Sequence, residues 1–359
     1  MINKMCNQER IVQLLREKHL PQNEWRTLLS TFSAQDRAYA QTLAAEITSQ
    51  RFGNHVYFRG IIEFSNICKN DCLYCGIRCS NRNVSRYRLT DEEILLCCRE
   101  GYRLGYRTFV LQSGENNYVV SEQFLQMIRR IRAAFPDCAI TLSVGECSRE
   151  TYEKMFAAGA DRYLLRHETA DQVHYQKLHP SAMSFENRIR CLFDLKAIGF
   201  QTGCGMMVGT PHQTTDSLAA DMEFMSEFQP AMVGIGPFLP HRDTPFANCP
   251  SGNQELTLFL LSLTRIMLPD ALIPATTALG TAAQDGRIQG VLAGCNVVMP
   301  NLSPQNVRKN YLLYDNKTGI SQNAEESLYL LKKQMQSIGR EVIVGRGDHR
   351  DYERNGKQS

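Results

Sequence analysis

The sequence predicts an α/β protein built on a (β/α)8 TIM barrel that follows an N-terminal helical cap. Short apolar runs alternate with helix-length amphipathic stretches from about residue 56, and eight such runs can be counted. The length of 359 residues also suits a single barrel of roughly 250 residues with additions. The alternation alone leaves a doubly wound open sheet as the alternative.

The N-terminal segment, residues 1–51, has the pattern of three helices. Apolar residues Ile11, Leu14 and their neighbours form a stripe, a second helix begins after Pro21, and a third runs from Ser33 to about Gln50. We expect this segment to cap one end of the domain that follows.

Strands and helices then alternate along the rest of the chain. The strands are predicted at Val56–Phe64, Thr108–Gln112, Ala139–Val144, Arg162–Arg166, Thr202–Val208, Met232–Gly236, Ile273–Thr277 and Asn296–Met299. The helices between them are predicted at Asp91–Leu104, Ser121–Ala134, Arg149–Ala158, Ser184–Ile198, Thr214–Phe228 and Asn253–Leu268. Such alternation indicates parallel strands joined by helical crossovers.

Four parts of the chain follow from this interpretation. The helical extension (residues 1–51) precedes the barrel (residues 52–310), a closing segment with a helix (residues 311–345) and a polar tail (residues 346–359). The charged residues from Gly345 onward are expected to be mobile.

Composition and charge exclude several function classes. Lys and Arg total 40 and Asp and Glu total 37, so the net charge of +3 argues against a nucleic-acid-binding protein. No apolar run approaches the roughly 20 residues that cross a bilayer, and the first residues lack the apolar region of a secretory signal. We expect a cytoplasmic protein without a membrane or nucleic-acid partner.

Alternation along two predicted strands places charged side chains inside the barrel. Arg59 and Glu63 share one strand face, and Arg166 and Glu168 share another. Because helices cover the outside of a barrel, these charges should point into the lumen, where they need partners or ligands. A polar cavity for a charged substrate is one interpretation; a buried ion-pair network, most plausible for Glu63, is the other.

Three of the thirteen cysteines are closely spaced after the first strand. Cys68, Cys72 and Cys75 form C-x3-C-x2-C, and a chain without an export signal favours metal binding over disulfides. Three thiolates can hold a [4Fe–4S] cluster and leave one iron open, whereas structural zinc sites normally use four protein ligands. Cys79 would complete the zinc alternative, although we interpret it as a bystander.

This cysteine spacing, with Tyr74 before the last cysteine, is typical of radical S-adenosylmethionine (SAM) enzymes. More narrowly, the chain resembles the HydE family of FeFe-hydrogenase maturases from about Phe52 to about Tyr314. The blocks that carry the resemblance are Ile61–Asn66, Leu111–Glu115, Ala160–Thr169, Val233–Phe238 and Ile273–Ala278. The Arg-His-Glu-Thr and Pro-Ala-Thr-Thr sequences within them are more specific than the cysteines.

The resemblance implies roles for individual residues. The cysteines Cys68, Cys72 and Cys75 would bind the cluster. The cofactor-binding residues would be Tyr74, Ser113, Gly114, Glu115, Glu168, Arg188 and Met299. Among these, the Ser-Gly-Glu motif would meet the SAM amino group, Glu168 the ribose and Arg188 the carboxylate. The catalytic residues in the substrate cavity would be Arg59, Arg166, Thr276, Thr277, Tyr311 and Tyr314.

Ordinary structural roles remain alternatives for several of them. Gly114 could be a glycine turn at a strand end, Arg188 a surface helix arginine and Met299 a core residue. The paired threonines could serve only strand packing.

The resemblance also implies a function and partners. The protein would cleave SAM reductively to a 5′-deoxyadenosyl radical and act on a small, anionic, cysteine-derived iron complex that bears CO and cyanide. A tyrosine-lyase radical SAM maturase, a scaffold GTPase maturase and a low-potential electron donor would be its partners. No cysteine follows Cys295, so only one cluster is expected. The alternatives are a methylornithine synthase-like or biotin synthase-like radical SAM enzyme and a non-catalytic zinc-binding barrel that acts as an adaptor.

Overall fold

Parallel strands form the centre of the protein in a computed structural model that describes residues 5–352. In chain order the strands are β1 (His55–Phe58), β2 (Gly60–Ser65), β3 (Thr108–Ser113), β4 (Ala139–Ser143), β5 (Arg162–Leu164), β6 (Gln201–Cys204), β7 (Met207–Val208), β8 (Met232–Val233), β9 (Gly236–Pro237), β10 (Val297–Val298) and β11 (Glu341–Ile343).

Parallel pairing closes these strands into a ring. Strands β2, β3, β4, β5, β6 and β8 are successive neighbours, and a bridge between Met232 and Leu272 extends the ring from β8. A second bridge joins Pro274 to Val297 of β10, and β10 pairs with β1, which leads into β2. The ring is therefore the predicted barrel, and the open-sheet alternative is wrong.

Several predicted strands are shorter than expected. The first predicted strand is interrupted at Arg59 and forms two strands with different neighbours. Strand β1 pairs with β10 and β11, whereas β2 pairs with β3. The fifth and sixth likewise divide into β6 and β7 and into β8 and β9. Strands in a barrel are tilted and staggered, so one strand changes its hydrogen-bonded neighbour along its length. The predicted strand Ile273–Thr277 is present only as isolated bridges at Leu272 and Pro274, and its last residue begins a helix.

Helices surround the ring. They are α1 (Asn7–Glu17), α2 (Gln22–Thr31), α3 (Ala34–Phe52), α4 (Asp91–Arg103), α5 (Glu122–Ala134), α6 (Arg149–Ala158), α7 (Gln172–Leu178), α8 (Phe185–Ile198), α9 (Thr215–Phe228), α10 (Gln254–Met267), α11 (Thr277–Ala282), α12 (Gly286–Leu292), α13 (Gln305–Arg308) and α14 (Ala324–Gln336). Within the described part of the chain, none of them has the length and apolar character of a membrane span.

The N-terminal helices lie on the flank of the barrel. Helix α2 packs against α9, and α3 packs along α10. The rings of Phe32 and Phe259 stack with centroids 4.5 Å apart, and the Thr48 hydroxyl donates to the Gly294 carbonyl at 3.4 Å. The predicted helices are present, and they pack against outer helices of the barrel.

The C-terminal segment closes the N-terminal end of the barrel. Strand β11 pairs with β1, and the residues after it reach the inward-pointing arginines of the strands. The fully buried Arg162 guanidinium donates to the carbonyl of Arg346 and to the Asp348 carboxylate, both at 2.6 Å. Arg59 donates to the Gly347 carbonyl at 3.2 Å. This segment therefore supplies the partners that the buried charges need.

These contacts contradict the expectation that the tail is mobile from Gly345 onward. The side chain of Arg346 also pairs with Asp161 at 3.2 Å, and the His349 amide donates to Gln201 at 2.7 Å. Residues 353–359 of the predicted tail lie outside the described residues. The division of the chain into four parts remains a prediction.

Replacing Asp348 by asparagine should destabilise the protein in a pH-dependent way. Burial alone would raise the pKa of Asp348, but Arg162 and Arg346 lower this pKa to about 2. The carboxylate therefore stabilises the fold fully above its unfolded pKa of about 4, and the stabilisation disappears as pH falls toward 2. We expect a loss of about 2 kcal/mol at pH 7 in urea denaturation and a smaller difference at pH 3. Equal differences at both pH values would contradict this account.

Candidate active site

One cavity at the carboxyl ends of the strands collects nearly all of the predicted site residues. Its volume is about 330 Å³. The predicted residues that line it are Cys68, Cys72, Tyr74, Cys75, Ser113, Gly114, Glu115, Arg166, Glu168, Arg188, Thr276, Thr277, Met299, Tyr311 and Tyr314. Barrel enzymes place their active sites at this end of the strands, so the cavity is the candidate active site.

The predicted placement of Arg59 in this cavity is wrong. Arg59 lies at the break between β1 and β2 and does not line the cavity. Its guanidinium contacts the Gly347 carbonyl and lies 3.0 Å from the sulfur of Met232. The alternation correctly predicted that Arg59 points inward, but the side chain meets the C-terminal segment at the closed end of the barrel.

The three cysteines lie on the loop that follows β2. Burial raises the pKa of the Cys68 and Cys72 thiols and raises that of Cys75 to about 12. Bound iron would supply the positive charge that favours the thiolate form of each. Three sulfur ligands facing one cavity, where a further ligand has room, are a donor set that fits a [4Fe–4S] cluster.

The position of Cys79 does not favour the zinc alternative. Cys79 is exposed and does not line the cavity with the other three cysteines. In residues 5–352, no three His, Cys, Asp or Glu side chains converge on a single-ion site. A cubane needs no such convergence because each thiolate binds its own iron atom.

The Ser-Gly-Glu motif packs directly on the cysteine loop. A Cβ at Gly114 would lie 2.5 Å from the Ile67 carbonyl oxygen and 2.7 Å from Cys68 Cβ. The backbone amide of Lys69 donates to the Glu115 carbonyl at 2.7 Å. The Lys69 ammonium pairs with the Glu115 carboxylate at 2.8 Å. The absence of a side chain at Gly114 thus lets the motif and the loop share one wall of the cavity.

Glu168 and two arginines line another part of the cavity. Glu168 has a φ of +66°, an uncommon conformation for a residue other than glycine, and such strain occurs preferentially at functional sites. Arg166 donates to the Glu168 carboxylate at 2.6 Å. Arg188 is 93% buried, pairs with Glu146 at 2.6 Å and donates to the Arg166 carbonyl at 2.9 Å. Arg188 is therefore not a surface helix arginine.

A buried pair behind Glu168 was not found by sequence reasoning. His167 Nδ1 accepts from the Gly205 amide at 3.2 Å, and its Nε2 lies 3.2 Å from the Asp221 carboxylate. Asp221 also accepts from the Ala170 amide at 2.5 Å, and burial raises its pKa. These contacts fix both sides of the turn that carries Glu168. The Arg-His-Glu-Thr block contains His167 and could have indicated this residue. No motif in the sequence around Asp221 indicates that it pairs with His167.

The closing segment contributes a lysine that the sequence did not indicate. Lys317 lines the cavity and forms an ion pair with Glu63, which lines the same cavity. Its ammonium also donates to the Tyr311 carbonyl at 3.0 Å and lies 5.0 Å from the centroid of that ring. Thr276 and Thr277 face this side from the start of α11, where the Thr276 side chain is the N-cap.

The barrel, the cysteine loop and the Ser-Gly-Glu motif together define a radical SAM enzyme. Residues 62–225 match the model of the Radical SAM superfamily. The [FeFe] hydrogenase maturase subunit HydE of Thermotoga maritima is 46% identical over 316 residues, which cover 87% of this chain and 90% of that protein. The chain belongs to the HydE family, and membership in the superfamily implies a [4Fe–4S] cluster and SAM as cofactors.

Two further comparisons are with methylornithine synthases. The 3-methylornithine synthase of Methanosarcina barkeri is 30% identical over 82% of this chain and 83% of that protein. The crystal structure of a methylornithine synthase superposes with a TM-score of 0.79 at 26% identity, covering 93% of this chain and 97% of that chain. These similarities are consistent with a barrel shared among related radical SAM enzymes.

Replacing Arg188 by alanine should weaken SAM binding. Its guanidinium is the expected partner of the SAM carboxylate, and a charged hydrogen bond contributes roughly 1.5–3 kcal/mol. Calorimetry on the reconstituted protein would measure this loss, with Arg190→Ala as the control because Arg190 lies on the same helix and pairs with Asp194. Unchanged affinity in Arg188→Ala would place the carboxylate site elsewhere.

Proposed function

We propose that the protein is a maturase that cleaves SAM reductively and uses the radical on a small, anionic, cysteine-derived iron complex with CO and cyanide ligands. The observation that carries this proposal is the grouping of the cysteine thiols, the Ser-Gly-Glu motif and two arginines around one cavity. The name of the Thermotoga relative supports the hydrogenase-maturation role.

The chain's own residues would hold and orient the cofactors. Cys68, Cys72 and Cys75 would bind the cluster, Glu115 would accept from the SAM amino group, and Glu168 would accept from the ribose hydroxyls. The cluster and SAM, when bound, supply one-electron cleavage to a 5′-deoxyadenosyl radical. The enclosing walls of the cavity would exclude water from that radical.

The substrate would occupy the side of the cavity near Thr276, Thr277, Tyr311 and Tyr314. Arg166 and Lys317 supply two cations there, which are paired with Glu168 and Glu63, respectively. The threonine and tyrosine hydroxyls can orient polar ligands of the complex. This arrangement suits a small anion better than a long polymer.

The protein would use one cluster only, since no cysteine follows Cys295. Its partners would be a tyrosine-lyase radical SAM maturase, a scaffold GTPase maturase and a low-potential electron donor, all in the cytoplasm.

Anaerobic reconstitution tests the proposed function. The protein would be loaded with iron and sulfide, reduced with dithionite and assayed for 5′-deoxyadenosine, and then used in place of HydE in a hydrogenase maturation reaction. We expect both SAM cleavage and active hydrogenase. Absence of SAM cleavage would contradict the enzyme assignment, and formation of methylornithine from lysine would favour the alternative relative.

Replacing Arg166 by alanine should impair maturation more than uncoupled SAM cleavage. If Arg166 binds the anionic substrate, the loss in maturation should be about tenfold, the scale of one charged hydrogen bond. Arg166→Lys keeps the positive charge and should recover part of the maturation rate. Equal losses in the two assays would instead place Arg166 in the SAM site through its pair with Glu168.

A further inference from the structure

A second cavity lies on the outer side of the cysteine loop. Its volume is about 270 Å³. Residues 83–85 and 241–243 form two of its walls, and Lys309, Leu312 and Asp315 belong to the third. The proposed reaction uses none of these residues.

Only a thin wall separates this outer cavity from the active site. Gly76 follows the proposed ligand Cys75, and its amide donates to the Leu313 carbonyl at 2.9 Å. A Cβ at Gly76 would lie 2.4 Å from His241 Cδ2 and 2.2 Å from the Leu312 carbonyl oxygen. His241 and Leu312 line the outer cavity, whereas Cys75 and Leu313 line the active site. The wall is therefore one layer of residues thick beside a cluster ligand.

The exposed charges around the outer cavity are positive. Arg82, Arg242 and Lys309 are exposed. Arg242 pairs with Asp315 at 3.1 Å, whereas Arg82 and Lys309 have no hydrogen-bond or ion-pair partner among residues 5–352. The carboxylate side chains of Asp243 and Asp315 are only 24% exposed, and each accepts a hydrogen bond from a neighbouring side chain. The surface thus presents two unpaired cations, Arg82 and Lys309, to solvent, whereas its two carboxylates accept hydrogen bonds from neighbouring side chains.

We propose that this outer basic surface, formed by Arg82, Arg242 and Lys309, docks a small acidic one-electron carrier protein that reduces the cluster through the wall at Gly76. The inference rests on the proposed function, because only a redox cluster at Cys75 needs such a donor. The carrier is oxidised by one electron and the cluster is reduced by that electron, with no proton or group transferred. Complementary charge steers such encounters, and redox interfaces are typically small, below about 1,200 Å².

Charge reversal tests the docking surface by direct binding. An acidic flavodoxin would be titrated into the reconstituted protein by calorimetry at low and high salt. The variant Arg82→Glu/Lys309→Glu should bind about tenfold more weakly than the wild type, and added salt should weaken wild-type binding. The matched control, Lys332→Glu/Lys333→Glu, reverses two charges on α14, which packs against β11 at the closed end of the barrel. The control should bind like the wild type.

SAM cleavage by the reconstituted protein provides the second measurement. With reduced flavodoxin, cleavage by Arg82→Glu/Lys309→Glu should be about tenfold slower, whereas cleavage driven by dithionite should be unchanged. Equal flavodoxin binding and rates in this variant and the wild type would overturn the proposal, as would an equal loss in the control. If dithionite drives no cleavage in the wild type, the proposed function fails, and the binding measurement still decides the docking surface.

Discussion

Replacement of Cys72 by alanine is expected to abolish both the signal of the reduced cluster and the formation of 5′-deoxyadenosine. Cys72 lies between the other two proposed ligands and faces the active-site cavity. With two thiolates left, a second iron loses its protein ligand, and SAM no longer has a single defined iron on which to bind. EPR of the reduced protein and a product assay would measure the two losses.

Cys79→Ala is the matched control for this experiment. Its thiol is exposed, outside the cavity, and only four residues beyond Cys75. The variant should retain iron, the EPR signal and SAM cleavage. An unchanged EPR signal in Cys72→Ala, or a lost one in Cys79→Ala, would show that the ligands are misassigned.

Replacement of Gly114 by alanine should disrupt the cluster and SAM sites together. The added Cβ would meet the Ile67 carbonyl oxygen at 2.5 Å, and backbone cannot rotate away as a flexible side chain can. The cysteine loop must shift, at a cost of about 1–3 kcal/mol in the free energy of unfolding. We expect less iron bound per chain and loss of SAM cleavage.

Gly345→Ala controls for the effect of an added methyl group. A Cβ at Gly345 would have no atom within 4 Å, so the substitution should leave iron content and stability nearly unchanged. Iron analysis and urea denaturation of both variants provide the measurements. Normal iron content in Gly114→Ala would show that the loop and the motif can separate without consequence.

The parts of the fold and site that depend on local sequence were predictable. The period of the apolar residues indicated the barrel, and the spacing of Cys68, Cys72 and Cys75 indicated the cluster loop. The Arg-His-Glu-Thr block placed Arg166 and Glu168 near one another because neighbouring residues at a strand end share one rim. Such features can be predicted from residues that are close in the sequence, without knowing which distant segments contact each other.

The remaining features depend on contacts between distant segments. Nothing in the residues around Lys317 shows that it meets Glu63, and nothing around Asp221 shows that it faces His167. The prediction put Arg59 in the active-site cavity because alternation shows which face of a strand a residue lies on. It does not show how far along the barrel axis the residue lies. The tail was misjudged because its composition resembles that of a mobile segment, whereas its Asp348 neutralises the buried Arg162.

The late arrival of the C-terminal segment has a consequence for synthesis. Strand β1 pairs with β11, and Arg162 finds its carboxylate partner only in the last part of the chain. A nascent chain whose residues 341–348 have not yet left the ribosome therefore lacks the strand beside β1 and the carboxylate partner of Arg162, whatever the order in which its earlier strands and helices form. Emergence of residues 341–348, and not emergence of β10, therefore sets the earliest moment at which the barrel can reach its final structure.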